Sequence, residues 1–198
     1  LTAAHVCDDS GIQNYIDSFF KSEAPELIKD VKKELLFIGK TLDGKKYDIN
    51  IIAQDAENDI CIVWVKDLYK KALNVSPQPP EIGDKVYNMA APLGIYHPGM
   101  IPLQEGLYNG QKRNADIYSI PAIGGSSGSP IVNHKGELVG MIHSVYRNFN
   151  HVSLSPTYDD LTDFIYSKTT KHVGDHMVDV LMKQLIKKKE ISLPPDKD

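Results

Sequence analysis

The strongest constraint on this chain is the string Gly125-Ser126-Ser127-Gly128-Ser129-Pro130, read together with His5 and Asp59 upstream. Small residues around Ser127 allow a sharp turn that projects the hydroxyl and lets the amides of Gly125 and Ser127 converge on one spot. By itself the string is equally typical of an ordinary turn. The order His, Asp, Ser, with each residue in a suitable local sequence, favours an activated serine instead.

Three residues divide the chemistry of acyl transfer among them. Ser127 is the candidate nucleophile, since a serine hydroxyl reacts poorly unless a base takes its proton. His5 in LTAAHVC is the candidate base, because an imidazole titrates near neutral pH. Asp59 directly precedes an apolar run and is the candidate that orients the imidazole, whereas its rival Asp55 is better suited to bracing the turn.

Three stretches carry a family resemblance: LLFIGKTLDGKKYDINIIAQDAENDICIVWV, EIGDKVYNMAAPLG and GGSSGSPIVNHKGELVGMIHS. They resemble the trypsin/chymotrypsin-fold serine proteases, and are most similar to the HtrA (Do-like) and glutamyl-endopeptidase branches. The likeness runs from Leu1 to about Tyr166 with one insertion. It implies a catalytic His5, Asp59 and Ser127, and an oxyanion hole formed by the amides of Gly125 and Ser127.

The resemblance also implies the architecture. We expect an all-β fold of two antiparallel six-stranded β-barrels, the first lacking its N-terminal strands because the chain starts four residues before His5, followed by C-terminal helices. The predicted domains are 1–76, with an insertion at 11–34, then 77–170, then an added helix and polar tail at 171–198. Short runs separated by Gly, Pro and Asn turns independently predict a mostly antiparallel all-β chain.

Local patterns place some of these elements. Asp43-Gly44 between two alternating runs predicts a hairpin, and the run DICIVWV predicts a strand covered on both faces. A helix is predicted to begin near Pro156 and to end with Lys168. A second amphipathic helix over 172–190 either packs on the body of the protein or contacts a partner.

Composition narrows the functional classes. The 198 residues carry a net charge of −4, so no basic field favours nucleic acid. No apolar run reaches the roughly 18 residues that span a membrane. No metal-ligand spacing or phosphate-binding loop appears, so neither a metal nor a cofactor is predicted. Leu1 stands inside a motif, so we expect the natural N-terminus and any targeting segment to lie upstream, and the localisation is unknown.

The two cysteines, Cys7 and Cys61, do not form a disulfide framework. Cys61 lies in the predicted buried strand, and we expect it to be a free thiol that acts as a small apolar residue. Vertebrate trypsins, by the same resemblance, carry a cysteine directly after the histidine. Here Val6 intervenes, so that bridge is not expected.

Comparison with the family also addresses activation and specificity. Ser126 replaces the aspartate that, in zymogen-activated trypsins, pairs with the N-terminal amine freed by cleavage, so activity is not expected to require such cleavage. Pro121 replaces the aspartate of the trypsin pocket, so a Lys or Arg preference has no support. The candidate pocket residues are Pro121, Ala122, His143 and Ser153.

The identity of the P1 residue, on the acyl side of the scissile bond, has two interpretations. A small or apolar P1 residue is the default. Glutamyl endopeptidases place an acid-reading histidine at the position of Ile142, whereas this chain has His143 one residue later, on the opposite face of a regular strand. A β-bulge could restore the orientation, which keeps an acidic P1 residue as the alternative.

Three functions are therefore weighed. The preferred one is a serine endopeptidase acting on protein or peptide substrates through an acyl-enzyme. The second is a catalytically silent protein-binding module on a protease fold. The third is a protease domain that is active only within a larger assembly or polyprotein, docked through the helix predicted at 172–190.

Overall fold

The computed structural model describes residues 1–8, 37–146 and 148–169. The insertion predicted at 11–34 and the helix predicted at 172–190 lie outside these residues. The chain divides into two compact units, Leu1–Thr162 and Asp163–Asp198. The described residues of the first unit form two antiparallel sheets, which confirms the all-β, trypsin-like fold class. No helix in the described part of the chain is long and apolar enough to cross a membrane.

The first sheet contains three strands in the order β1-β2-β3, with bounds Ile38–Lys40, Lys46–Asp55 and Ile60–Val65. Gly44 turns the first hairpin with a φ of +83°, which confirms the hairpin predicted at Asp43-Gly44. β3 is buried over Ile60–Ile62, but Trp64 is 44% exposed. The prediction that both faces of this strand are covered therefore holds only for its first half.

A short N-terminal helix, α1 (Ala4–Cys7), is attached to β3. Thr2 and Cys61 exchange both backbone hydrogen bonds, at N···O distances of 2.8 and 2.7 Å. Cys7 and Cys61 form a disulfide, so the prediction of a free Cys61 thiol was wrong, although Cys61 is fully buried as expected. The prediction rested on the burial of Cys61 and on Val6, which takes the place of the family's cysteine next to the histidine. Cys7 follows His5 by two positions, and Cys61 follows Asp59 by two positions. A fold that brings His5 to Asp59 therefore also brings the two thiols together.

The second sheet contains seven strands in the order β8-β7-β4-β5-β6-β10-β9. Their bounds are Lys85–Met89 (β4), Leu103–Lys112 (β5), Ala115–Tyr118 (β6), Pro130–Asn133 (β7), Leu138–Met141 (β8), Ser144–Tyr146 (β9) and Phe149–Ser155 (β10).

The two edge strands of this sheet, β8 and β9, are consecutive in the chain and separated only by Ile142 and His143. The His143 amide donates to the Leu154 carbonyl of β10 at 3.0 Å, and the Met141 amide donates to Ser155 Oγ at 3.0 Å. The β8–β9 segment thus pairs with β7 at one end and with β10 at the other. Taking the segment as one bent strand, the sheet closes on itself as a six-stranded barrel, as the resemblance implied.

The barrel is filled by apolar side chains from its strands and from the segments that follow β6 and β8. The buried members of this core are Val86, Tyr108, Tyr118, Ile120, Ala122, Ile131, Val139 and Ile142. Asn88 of β4 is a polar exception and is 0% exposed. The hydrophobic core thus lies directly beneath the loop that contains Ser127, since Ile131 and Ile142 border that loop in sequence and in hydrogen bonding.

The second helix, α2, covers residues 158–169, which confirms the helix predicted to begin near Pro156. Thr157 caps it: the Asp160 amide donates to Thr157 Oγ1 at 3.1 Å, and Thr157 Oγ1 in turn donates to Asp160 Oδ2 at 2.6 Å. The Tyr158 amide donates to the buried Asp116 carboxylate at 2.8 Å. The helix start is therefore anchored to β6.

We predict that replacing both cysteines by serine destabilises the protein by about 4 kcal/mol, because the Cys7–Cys61 bridge closes a long loop in the unfolded chain. Thermal unfolding with and without reductant measures this. Reductant should lower the transition temperature of the natural protein and leave the double variant unchanged. Equal transition temperatures for the natural protein and the double variant would contradict the disulfide.

Candidate active site

The carboxylate of Asp59 is bound twice by His5. The His5 backbone amide donates to Asp59 Oδ1 at 2.8 Å, and His5 Nδ1 lies 2.7 Å from Asp59 Oδ2. The His5 side chain is 50% exposed and the Asp59 side chain 22% exposed. The ring is therefore oriented by Nδ1 and keeps an accessible face, which leaves Nε2 as the nitrogen that can exchange a proton with another group.

Local backbone geometry positions Asp59. Its φ of +55° is a left-handed conformation that Asp adopts more readily than most residues. In this conformation the Asp59 carbonyl accepts the Ala4 amide at 3.1 Å, while the carboxylate meets His5. Strained backbone of this kind concentrates at functional sites.

The rival carboxylate, Asp55, lies at the other end of the same turn. Its Oδ1 accepts the amides of Glu57 and Asn58 at 3.0 and 3.1 Å, and its Oδ2 accepts Asn58 Nδ2 at 3.0 Å. These contacts match the bracing role expected for Asp55. They also hold the turn from which Asp59 extends.

A second histidine reaches the same carboxylate. His143 Nδ1 lies 3.5 Å from Asp59 Oδ2, and the His143 side chain is 21% exposed. Burial lowers the pKa of His143; the charge of Asp59 opposes this shift, and His5 adds to it. His143 was predicted only as a pocket residue. Its contact with Asp59 was missed by sequence reasoning, because it depends on how β8 bends into β9.

The loop before β7 holds two candidate oxyanion amides. The Gly124 carbonyl accepts the Leu93 amide at 2.7 Å, and the Ser126 carbonyl accepts the Ser129 amide at 3.1 Å. In a trans peptide the N–H and C=O groups point in opposite directions. These carbonyl contacts therefore direct the amides of the following residues, Gly125 and Ser127, away from Leu93 and Ser129, respectively. Among the described residues neither amide has an acceptor, so both are available to bind an oxyanion.

Two positions of this loop require glycine for two reasons: their φ is positive, and a Cβ there would collide with a neighbouring segment. Gly125 has a φ of +94°, and a Cβ there would lie 2.7 Å from the Ala91 carbonyl oxygen. Gly128 has a φ of +80°, and a Cβ there would lie 2.8 Å from Thr2 Cα. Thr2 precedes His5 by three residues. The structure therefore brings the loop of Ser127, which is half-buried, against the segment that carries His5.

The other predicted pocket residues lie close to β10. The Ala122 amide donates to the Asn150 carbonyl at 2.8 Å. Pro121 directly precedes Ala122 in the loop that follows β6. Ser153 is 0% exposed, and its Oγ has no hydrogen-bond partner within the described structure. No group of three or more His, Cys, Asp or Glu residues in the described ranges could hold a metal ion.

The family model for the trypsin-like peptidase domain matches residues 1–141. The chain therefore belongs to the trypsin-like peptidase family and is a peptide hydrolase. No curated protein sequence matches it.

Solved serine proteases share the fold at low sequence identity. The serine endoprotease from Yersinia pestis matches with a TM-score of 0.60 and 18% identity, over 71% of this chain and 50% of that one. The active form of the Rv3671c protease from M. tuberculosis matches with a TM-score of 0.54 and 16% identity, over 63% of this chain and 59% of that one. An inactive form of the Rv3671c protease matches with a TM-score of 0.55 and 15% identity, over 63% of this chain and 68% of that one. These likenesses support the fold.

We predict that Gly128→Ala strongly impairs both stability and hydrolysis, because the new Cβ meets Thr2 in a left-handed backbone. Gly136→Ala is the matched control, since Gly136 has a φ of +76° and a Cβ there would meet nothing within 4 Å. Thermal unfolding and casein hydrolysis measure the two effects. Equal losses in the two variants would show that the Gly128–Thr2 approach is unimportant.

Stability should depend on pH through His143. Because burial lowers its pKa in the folded state, protonation favours unfolding. Above the unfolded histidine's pKa of about 6.5, His143 is neutral in both states and the protein keeps its full stability. As the pH falls below this value, the unfolded state takes up the proton more readily and stability is lost. We predict that His143→Gln loses less stability than the natural protein between about pH 7 and pH 5. His134→Gln, in the exposed β7–β8 turn, should retain the natural pH slope; identical slopes in all three proteins would refute the prediction.

Proposed function

We propose that this peptide hydrolase is a serine endopeptidase that acts through an acyl-enzyme on Ser127. The observation that carries the proposal is the double hydrogen bond from His5 to Asp59. It sets the ring position and the tautomer of the imidazole, which a general base requires. The approach of Gly128 to Thr2 supports the assignment of Ser127, because it brings the serine loop to the histidine segment.

The first half of the reaction forms the acyl-enzyme. Ser127 Oγ attacks the peptide carbonyl carbon while His5 Nε2 takes the hydroxyl proton. Asp59 stabilises the resulting imidazolium through Nδ1–H. The carbonyl oxygen becomes an oxyanion, which the amides of Gly125 and Ser127 bind. As the C–N bond breaks, the proton on His5 passes to the leaving amine.

The second half returns the enzyme to its starting state. A water molecule attacks the ester carbonyl, and His5 takes one of its protons. The oxyanion forms again in the same hole. When the tetrahedral species collapses, the proton returns to Ser127 Oγ and the acid product leaves.

The substrate class is a protein or peptide with a small or apolar P1 residue. Pro121 and Ala122 provide no charge that would select a basic side chain. His143 contacts Asp59, which argues against its use for reading an acidic P1 residue. The buried, unpartnered hydroxyl of Ser153 could form one hydrogen bond to a substrate that enters this region.

The endopeptidase accounts for more observations than a silent binding module. A binding module would not need the oriented His5–Asp59 pair or, among the described residues, the two amides without acceptors. The proposal that activity depends on a larger assembly rests on the helix predicted at 172–190, which is outside the described residues.

Kinetics of single variants test the proposal. In the full-length protein we expect Ser127→Ala, His5→Ala and Asp59→Asn each to lower kcat for labelled casein by about 10⁴-fold or more, because the three residues act as one unit. Fluorophosphonate labelling of Ser127 should be lost in the first two variants. Asp55→Asn is the control and should keep most of its activity, because an asparagine Oδ1 can still accept the Glu57 and Asn58 amides that brace the turn. Equal loss in Asp55→Asn and Asp59→Asn, or full activity in Ser127→Ala, would overturn the proposal.

A further inference from the structure

Asn88 is a fully buried polar residue that faces the serine loop. It lies on β4, and its Nδ2 donates to Ser129 Oγ at 2.9 Å and to the Pro130 carbonyl at 2.8 Å. Both amide protons of the side chain are therefore used at the loop. No part of the catalysis described above requires this residue.

The cost of keeping Asn88 in the core is visible in the structure. Its Oδ1 is buried and has no hydrogen-bond partner among the described residues. Reversing the amide would place Oδ1 against the Pro130 carbonyl oxygen and lose the donors, so the orientation follows from the contacts. An apolar residue of similar size would remove the unpaired acceptor. What the asparagine contributes in place of an apolar residue is its two donor contacts to the loop.

Ser129 carries the contact of Asn88 onward to the oxyanion hole. Its Oγ accepts the proton of Asn88 and donates its own to the Ser126 carbonyl at 2.6 Å, in addition to the Ser129 backbone amide, which donates to the same carbonyl at 3.1 Å. The Ser126 carbonyl belongs to the peptide unit whose N–H is that of Ser127. Because the peptide is planar and trans, holding the carbonyl toward Ser129 turns the Ser127 amide toward the opposite side.

We propose that Asn88 is a positioning residue of the oxyanion hole, acting through Ser129 on the Ser126–Ser127 peptide. The inference rests on the proposed function, because it assigns a role in a hole that the proposed reaction uses. The chain Asn88–Ser129–Ser126 holds the loop from within the barrel. It also gives a physical basis for activity with Ser126 at the position where zymogens carry an aspartate.

Ser129→Ala tests this chain with little change in volume. We expect kcat to fall about tenfold or more with KM little changed, because one oxyanion donor loses its alignment. Affinity for a peptidyl trifluoromethyl ketone, which forms a bound oxyanion, should fall by the same factor, while affinity for the product peptide stays constant. Ser129→Thr, which keeps the hydroxyl, should recover most of kcat.

Ser155→Ala is the matched control. Ser155 is buried, as Ser129 is, and its Oγ likewise accepts one amide, from Met141 at 3.0 Å, and donates to one carbonyl, of Pro156 at 2.8 Å. Its loss should lower the unfolding temperature about as much as Ser129→Ala and leave the trifluoromethyl ketone affinity unchanged. Equal kinetic losses in both variants would show a general structural effect and overturn the proposal.

A double-mutant cycle with Asn88→Ala provides a second test of the contact between Asn88 and Ser129. Because Asn88 and Ser129 act in series, Asn88→Ala combined with Ser129→Ala should lose no more kcat than the more impaired single variant. Strict additivity of the two losses would contradict the chain.

Crystal structures of the natural protein and of Ser129→Ala separate this inference from the proposed function. We expect the Ser126–Ser127 peptide to tilt in the variant, where only the Ser129 backbone amide still holds the Ser126 carbonyl, whether or not the natural protein hydrolyses peptides. An unchanged peptide orientation with unchanged ketone affinity would overturn the positioning role. A natural protein that neither cleaves casein nor reacts with fluorophosphonate would instead overturn the proposed function.

Discussion

The contact on which the rest of the site depends is the Asp59 carboxylate, which binds the amide and the ring of His5 and lies within 3.5 Å of His143. Asp59 reaches this position only in a left-handed backbone conformation at the end of a turn that Asp55 braces. The turn is held against the histidine segment by the Thr2–Cys61 backbone pair and by the disulfide. Covalent and hydrogen-bonded links therefore surround one charged interaction.

The serine loop depends on a different kind of constraint, the direction of its peptide planes. Leu93 holds the Gly124 carbonyl and Ser129 holds the Ser126 carbonyl, so the amides of Gly125 and Ser127 are left without acceptors among the described residues. Such amides bind a developing oxyanion without reorganising, which is how preorganised dipoles lower a barrier. The buried asparagine in β4 ties this local geometry to the core of the barrel.

Sequence reasoning succeeded where the signal is local. The local sequences around His5, Asp59 and Ser127 predicted the family. The Asp43-Gly44 turn predicted a hairpin, and Pro156 with the acidic residues after it predicted a helix start. It failed where register brings distant residues together. The Cys7–Cys61 bridge spans 54 positions, and Asn88 meets Ser129 across 41. The His143–Asp59 contact depends on the bend between β8 and β9, which the length of the strands does not reveal. The catalytic assignment itself stays a prediction.

The most direct test of the central claim is proton NMR of the imidazole N–H groups in the full-length protein. A hydrogen bond from Nδ1–H to a carboxylate gives a strongly downfield, slowly exchanging signal. We expect such a signal from His5, unchanged in Asp55→Asn, retained in His143→Gln and absent in Asp59→Asn. A spectrum without this signal, or one in which it survives Asp59→Asn, would contradict the assignment of Asp59 as the residue that orients the catalytic base.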